Sequence, residues 1–168
     1  MKDIDRLKIL TCEFQSPTLG VLKLEHVLVN ISEYIKSAPA YKYKLIIGTD
    51  SEAKYGRDVD FITAIVVHRI GAGGVYFWRR SLSSTFYSLK ERIYQEAIIS
   101  MEFAQNLFDV IQDNELLLCD FEIHLDVGKT GETREIINEV AGMIRSSGFE
   151  VKTKPESFGA SKIADRYT

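Results

Sequence analysis

An α/β fold with a mixed five-stranded sheet flanked by helices is what the sequence predicts, and three observations carry that expectation. A short apolar segment is followed by two β-branched and aromatic segments joined through glycines, the pattern of three antiparallel strands. Two further apolar segments come later, each preceded by a stretch with helical spacing, the pattern of strands connected through helices. The 168 residues, 45% hydrophobic and 27% charged, suit one domain large enough to bury a core, and no repeat, low-complexity tract or linker divides residues 1–168.

The elements follow in order. After the turn signal Ser16-Pro17-Thr18-Leu19-Gly20, the apolar residues Leu24, Val27, Leu28, Ile31, Tyr34 and Ile35 recur at helical spacing, and Pro39 ends that helix. Tyr43–Thr49 reads as a strand that stops at Asp50, with a polar loop over 51–60. Phe61–Ile70 and Val75–Arg80 form a hairpin about Gly71-Ala72-Gly73-Gly74. Ser88 and Glu91 have capping-box spacing and open a helix through Ile93, Ala97, Met101, Ala104, Phe108 and Ile111. Leu116–Leu125 contains a strand that runs into Asp126. Glu132–Arg145 is helical by period, with Gly148 as its stop, and Phe149–Lys154 makes the last strand. Ala160–Arg166 begins a closing helix that carries Asp165.

Charge and composition narrow the function. With 21 Lys and Arg against 24 Asp and Glu the net charge is −3, so no global basic field gathers nucleic acid, and a polyanion must be held locally or through metal ions. No apolar run reaches the roughly 18 residues of a membrane helix, and the start MKDIDRLKIL has no secretory h-region, so a cytoplasmic protein is expected. Cys12 and Cys119 are far apart and outside any CxxC arrangement, which argues against both a disulfide framework and a thiolate zinc site.

Two strands share one design. Leu45–Asp50 and Phe121–Asp126 are each apolar and end in an aspartate followed by a turn, and ligands of open α/β sheets bind beyond the carboxyl ends of strands. On parallel neighbours the two carboxylates stand about one strand spacing (~4.8 Å) apart, where like charges call for a proton or a cation between them. Carboxylate oxygens suit Mg²⁺ or Mn²⁺ rather than zinc. Glu96, near the edge of the buried stripe of the long helix, and Asp165, on the closing helix, complete a set able to hold two metals for phosphodiester hydrolysis. A lone Asp at a strand end is ordinarily a turn former, but two at matching positions point to a shared site. Glu91 reads as a cap, and Asp165 has an alternative as the partner of Lys162 or Arg166. His124 shares strand parity with Asp126, which places it beside the site or leaves it a partly exposed strand histidine without a role. Lys152, Lys154, Lys162 and Arg166 either meet phosphates or form a solvated edge. Gly128-Lys129-Thr130 is not a phosphate loop, because Ile123 stands where that motif needs glycine.

The chain resembles the ribonuclease H-like YkuK family from about Phe14 to Thr168, on FQSPTLG, LIIGTDSE, FITAIVVHRIGAGG, RIYQEA, HLDVGKTGETRE and the ending KPESFGASKIADRYT. Residues 1–13 have no counterpart and read as a variable extension, and Glu52 stands where the family commonly has Gln. The resemblance implies a ribonuclease H-like fold, whose enzymes carry acidic residues on the first strand, the first core helix, the fourth strand and a late helix. Those positions match Asp50, Glu96, Asp126 and Asp165. The expected function is a metal-dependent nuclease acting on RNA, DNA or a hybrid with Mg²⁺ or Mn²⁺, with Lys154, Lys162 and Arg166 against the substrate. The alternative is a non-catalytic module of the same fold that binds nucleic acid or a protein partner. An actin-like phosphotransferase is disfavoured, since those proteins use two such domains and 168 residues allow one.

Overall fold

The computed structural model describes residues 10–54, 58–85, 87–111, 116, 119–127, 134–157 and 160–167. Its elements are β1 (Glu13–Ser16), β2 (Gly20–Lys23), α1 (Leu24–Lys36), β3 (Tyr43–Ala53), β4 (Val59–Arg69), β5 (Gly74–Ser83), α2 (Leu89–Ile111), β6 (Asp120–His124), α3 (Arg134–Ser146), β7 (Glu150–Lys152) and α4 (Ala160–Tyr167). The strands form one seven-stranded sheet in the order β2-β1-β5-β4-β3-β6-β7. β3, β4 and β5 are antiparallel, whereas β6 joins β3 and β7 joins β6 in parallel. This is the expected mixed core of five strands, enlarged by the β1–β2 hairpin at one edge. That hairpin was not predicted: each arm has four residues, too few to show a period, and a single register pair, Gln15 with Trp78, ties it to β5.

Burial explains the pattern of the central strands. Leu45, Ile46 and Ile47 are all fully buried, because β3 is covered on both faces and so reads as a continuous apolar run rather than an alternation. Leu45 and Ile47 join Phe14, Ile31, Ala104 and Val140 in the larger core under α1, α2 and α3. Ile46 faces the other way, with Ile62, Ala64, Val66 and Trp78, against Ile163 and Tyr167 of α4. Helices therefore cover both faces, three on one and the short α4 on the other.

The end of the first core strand differs from the sequence expectation. β3 does not stop at Asp50 but runs to Ala53, because β4 extends the antiparallel ladder to Ala53–Val59 whatever the polarity of the side chains. The polar stretch read as a loop is thus partly strand. The capping box of α2 is present: the Ser88 N–H donates to Glu91 Oε2 at 2.7 Å and the Glu91 N–H to Ser88 Oγ at 3.3 Å. α3 ends before Gly148, whose φ of 89° only glycine adopts without strain. Gly128-Lys129-Thr130, the expected first turn of α3 from Glu132 and the side chain of Asp165 lie outside the described residues. Among the described residues no helix is long and apolar enough to cross a membrane.

α4 is held by its carboxyl end. The Tyr167 ring stacks on Trp78 at 4.1 Å between centroids, its hydroxyl lies 3.1 Å from that of Tyr76, and Arg80 Nη2 donates to the Tyr167 carbonyl at 2.6 Å. Tyr167→Ala should lower stability by about 1–3 kcal/mol and raise amide exchange in α4 before the rest of the chain. Unchanged exchange in α4 would show that this stack does not hold the helix.

Candidate functional site

The parallel register decides which side chains meet. β3 and β6 pair from Lys44–Asp120 to Ile47–Ile123. Three residues further in that register, Asp50 comes level with Asp126. β6 and β7 pair up to His124–Lys152, and two residues on, Asp126 comes level with Lys154. The backbone bonds Leu125 N–H to the Lys152 carbonyl (2.9 Å) and Lys154 N–H to the Val127 carbonyl (3.1 Å) carry that ladder past the strand ends. Alternation puts Asp50, Asp126 and Lys154 on the α4 face, in one row across three strands at the carboxyl rim. Lys154 Nζ lies 2.9 Å from Asp126 Oδ1.

Glu96 reaches the same rim from the other face. Along α2, Arg92, Glu96 and Ser100 recur every four residues as a polar stripe against the sheet. Arg92 Nη1 donates to the Ser51 carbonyl at 3.3 Å, and Ser51 Oγ donates to Glu96 Oε1 at 2.5 Å. Ser100 Oγ donates to Thr49 Oγ1 at 2.9 Å, and that hydroxyl is 3.1 Å from Thr63 Oγ1. Burial pushes the Glu96 carboxyl up to about 8; the negative charges of Asp50 and Asp126 add to this, against the Ser51 hydroxyl and the Arg92 guanidinium. Glu96 therefore sits within electrostatic reach of both aspartates and holds its proton at neutral pH. The sequence reading missed Ser51, Arg92 and Ser100; the polar residues at four-residue intervals on an otherwise apolar helix face were the signal.

His124 is not partly exposed but buried, and its Nε2–H donates to Glu122 Oε2 at 2.9 Å. Lys44 Nζ donates to Glu122 Oε1 at 2.5 Å. Burial works to raise the Glu122 carboxyl, but these two hydrogen bonds outweigh it and hold the group below its ordinary range. Burial holds His124 below its ordinary range as well, against the pull of Glu122. The two are the next side chains along β6 on the Asp126 face. Among the other candidates, Lys152 pairs with Glu150 at 2.6 Å, and Arg166 Nη1 donates to Tyr76 Oη at 3.4 Å. Lys162 is exposed beside a cavity of about 230 Å³ against Ile46, Val66 and Ile163. Glu52 pairs with Lys54 and stands opposite Asp60, which Arg80 approaches to 3.5 Å. Cys12 and Cys119 are half-buried thiols.

The profile of the family described as Ribonuclease H-like matches residues 26–168. The chain belongs to the ribonuclease H-like family. It is also 34% identical over 161 residues to the uncharacterized protein YkuK of Bacillus subtilis (strain 168), across 88% of this chain and 91% of that protein. No solved structure matches the chain. Ribonuclease H-like folds usually use divalent metals, and the donor chemistry here suits one: the acids are oxygen donors only, burial together with the charges of Asp50 and Asp126 keeps a proton on Glu96, and an ammonium already sits on Asp126. Among the described residues, however, no three Asp, Glu, His or Cys side chains stand as a ready-made metal group.

The raised Glu96 carboxyl has a pH signature. Its folded value lies above the ordinary 4.5, so the stability it permits is complete below that value and is lost as pH rises toward about 8. In metal-free buffer, Glu96→Gln should match wild type near pH 5 and exceed it by up to roughly 4 kcal/mol near pH 8, read by chemical denaturation. A difference independent of pH would show that the carboxyl ionises normally.

Proposed function

We propose that this ribonuclease H-like protein is a divalent-metal-dependent nuclease that hydrolyses phosphodiester bonds of RNA or DNA. The observation that supports this best is the Glu96 carboxyl, raised by burial and further by the charges of both Asp50 and Asp126, which the β3–β6 register brings to one level when continued three residues past its last pair. In this reading Asp50 and Asp126 are the principal ligands for Mg²⁺ or Mn²⁺, Glu96 and Asp165 complete the set, and Lys154, Lys162 and Arg166 hold the phosphate backbone. A bound cation supplies the Lewis acidity that activates a water and stabilises the leaving oxygen. The chain's own residues do the rest. Ser51 orients the Glu96 carboxyl through its hydroxyl, and Arg92 holds the Ser51 carbonyl in turn. The basic side chains offset the net negative charge that would otherwise repel a polyanion.

A second reading, a non-catalytic module that binds nucleic acid or a protein partner, is favoured by one observation, the Lys154 ammonium that neutralises Asp126 from within the chain. The two readings part on metal uptake. Under the nuclease reading, millimolar Mn²⁺ raises the melting temperature of wild type and not of Asp126→Asn. Single-stranded, duplex, hybrid and branched substrates with Mg²⁺ or Mn²⁺ should then reveal cleavage, reduced by roughly a hundredfold or more in Asp50→Asn. Cleavage that survives in Asp50→Asn removes the proposed site, and no metal-induced stabilisation favours the binding module.

A further inference from the structure

We propose that Lys154 is a built-in counter-ion that competes with the divalent cation for Asp126, and that cation binding releases it toward the substrate phosphate. The inference rests on the metal-site reading above and goes beyond it, by giving one residue two alternating partners. Its basis is the row on the α4 face that continues the two parallel registers, with Asp50 on β3 and, two residues past the ends of β6 and β7, Asp126 and Lys154, whose charged groups touch. Lys154 does not arrive there by chance rotamer. Its backbone N–H is bonded to the Val127 carbonyl at 3.1 Å and the Leu125 N–H to the Lys152 carbonyl at 2.9 Å, so the parallel ladder sets its Cα beside Asp126. Its Nζ lies 2.9 Å from Asp126 Oδ1, an oxygen that a metal between Asp50 and Asp126 would also claim.

Charge then determines the exchange. An ammonium beside Asp126 relieves the repulsion between the two aspartates with one positive charge; a divalent cation relieves it with two, and repels the ammonium. The lysine side chain is 55% exposed against 18% for Asp126, so it can swing into solvent while the carboxylate stays in place. On the same rim, the displaced ammonium finds a phosphate oxygen as its next anionic partner. Metal occupancy thereby switches on a phosphate contact, and the empty site is neutralised from within.

The test is isothermal titration of Mn²⁺ into wild type, Lys154→Met and Lys154→Arg. Lys154→Met should bind Mn²⁺ about three- to tenfold more tightly than wild type, and Lys154→Arg, which keeps the charge, within about twofold of it. Thermal melts without metal confirm that each exposed-site variant is folded. Mn²⁺ binding that is equal or weaker in Lys154→Met overturns the proposal while leaving the metal site standing. Mn²⁺ uptake by none of the three proteins overturns the metal-site reading itself.

Discussion

The parallel register of β3 against β6 is the constraint on which the site depends. A slip of one residue would turn every side chain of β6 to the opposite face, burying Glu122 and His124 among the residues of the larger core and carrying Asp126 away from Asp50. Such a slip is forbidden by Ile123, which must lie with Leu45 and Ile47 under α2 and α3, and by Glu122, which must meet Lys44 across the two strands. Hydrophobic burial on one face and a satisfied ionic network on the other thus specify one alignment. The rim carboxylates inherit their positions from it.

That alignment concentrates negative charge, and the protein tolerates it by three separate devices. Burial and the neighbouring aspartates keep a proton on Glu96. Asp126 has the Lys154 ammonium at its oxygen. Further along β6, Lys44 and His124 satisfy both oxygens of Glu122, so a buried carboxylate is fully hydrogen-bonded where its ionised form would otherwise be costly. The hydroxyls of Ser51, Thr49, Thr63 and Ser100 line the helix side of the same rim with groups that are already paired. The result is a polar end on a sheet whose larger core face is apolar along its middle.

The α4 latch connects this rim to the far edge of the core. Its contacts run from Ile163 on the sheet to the Trp78–Tyr167 stack, and Arg80 joins its last carbonyl to the buried Asp60 on β4. An eight-residue helix has little stability of its own, so its position derives from these tertiary contacts. The placement of the backbone that carries Asp165 is therefore coupled to packing around Trp78, several strands away from Asp126.

Much of the fold was legible because its signals are local and periodic. The apolar runs of β3 and β6, the aromatic hairpin, the Ser88–Glu91 cap and the amphipathic α3 each declare themselves within a dozen or so residues, as do the aspartates that follow the apolar run of β3 and the end of β6. The β1–β2 hairpin and the polar end of β3 did not, because pairing with a neighbour rather than side-chain pattern makes them strands. Residue type and spacing by themselves determined the order of the five core strands and their helices and singled out Asp50, Asp126 and the acid on the long helix. Only the tertiary structure decided that Ser51 bonds Glu96 while Arg92 holds the Ser51 carbonyl, that Lys44 meets Glu122 and that Lys154 rests on Asp126, since these contacts depend on which elements become neighbours and in what register. No local sequence signal encodes a relation between segments that lie far apart along the chain.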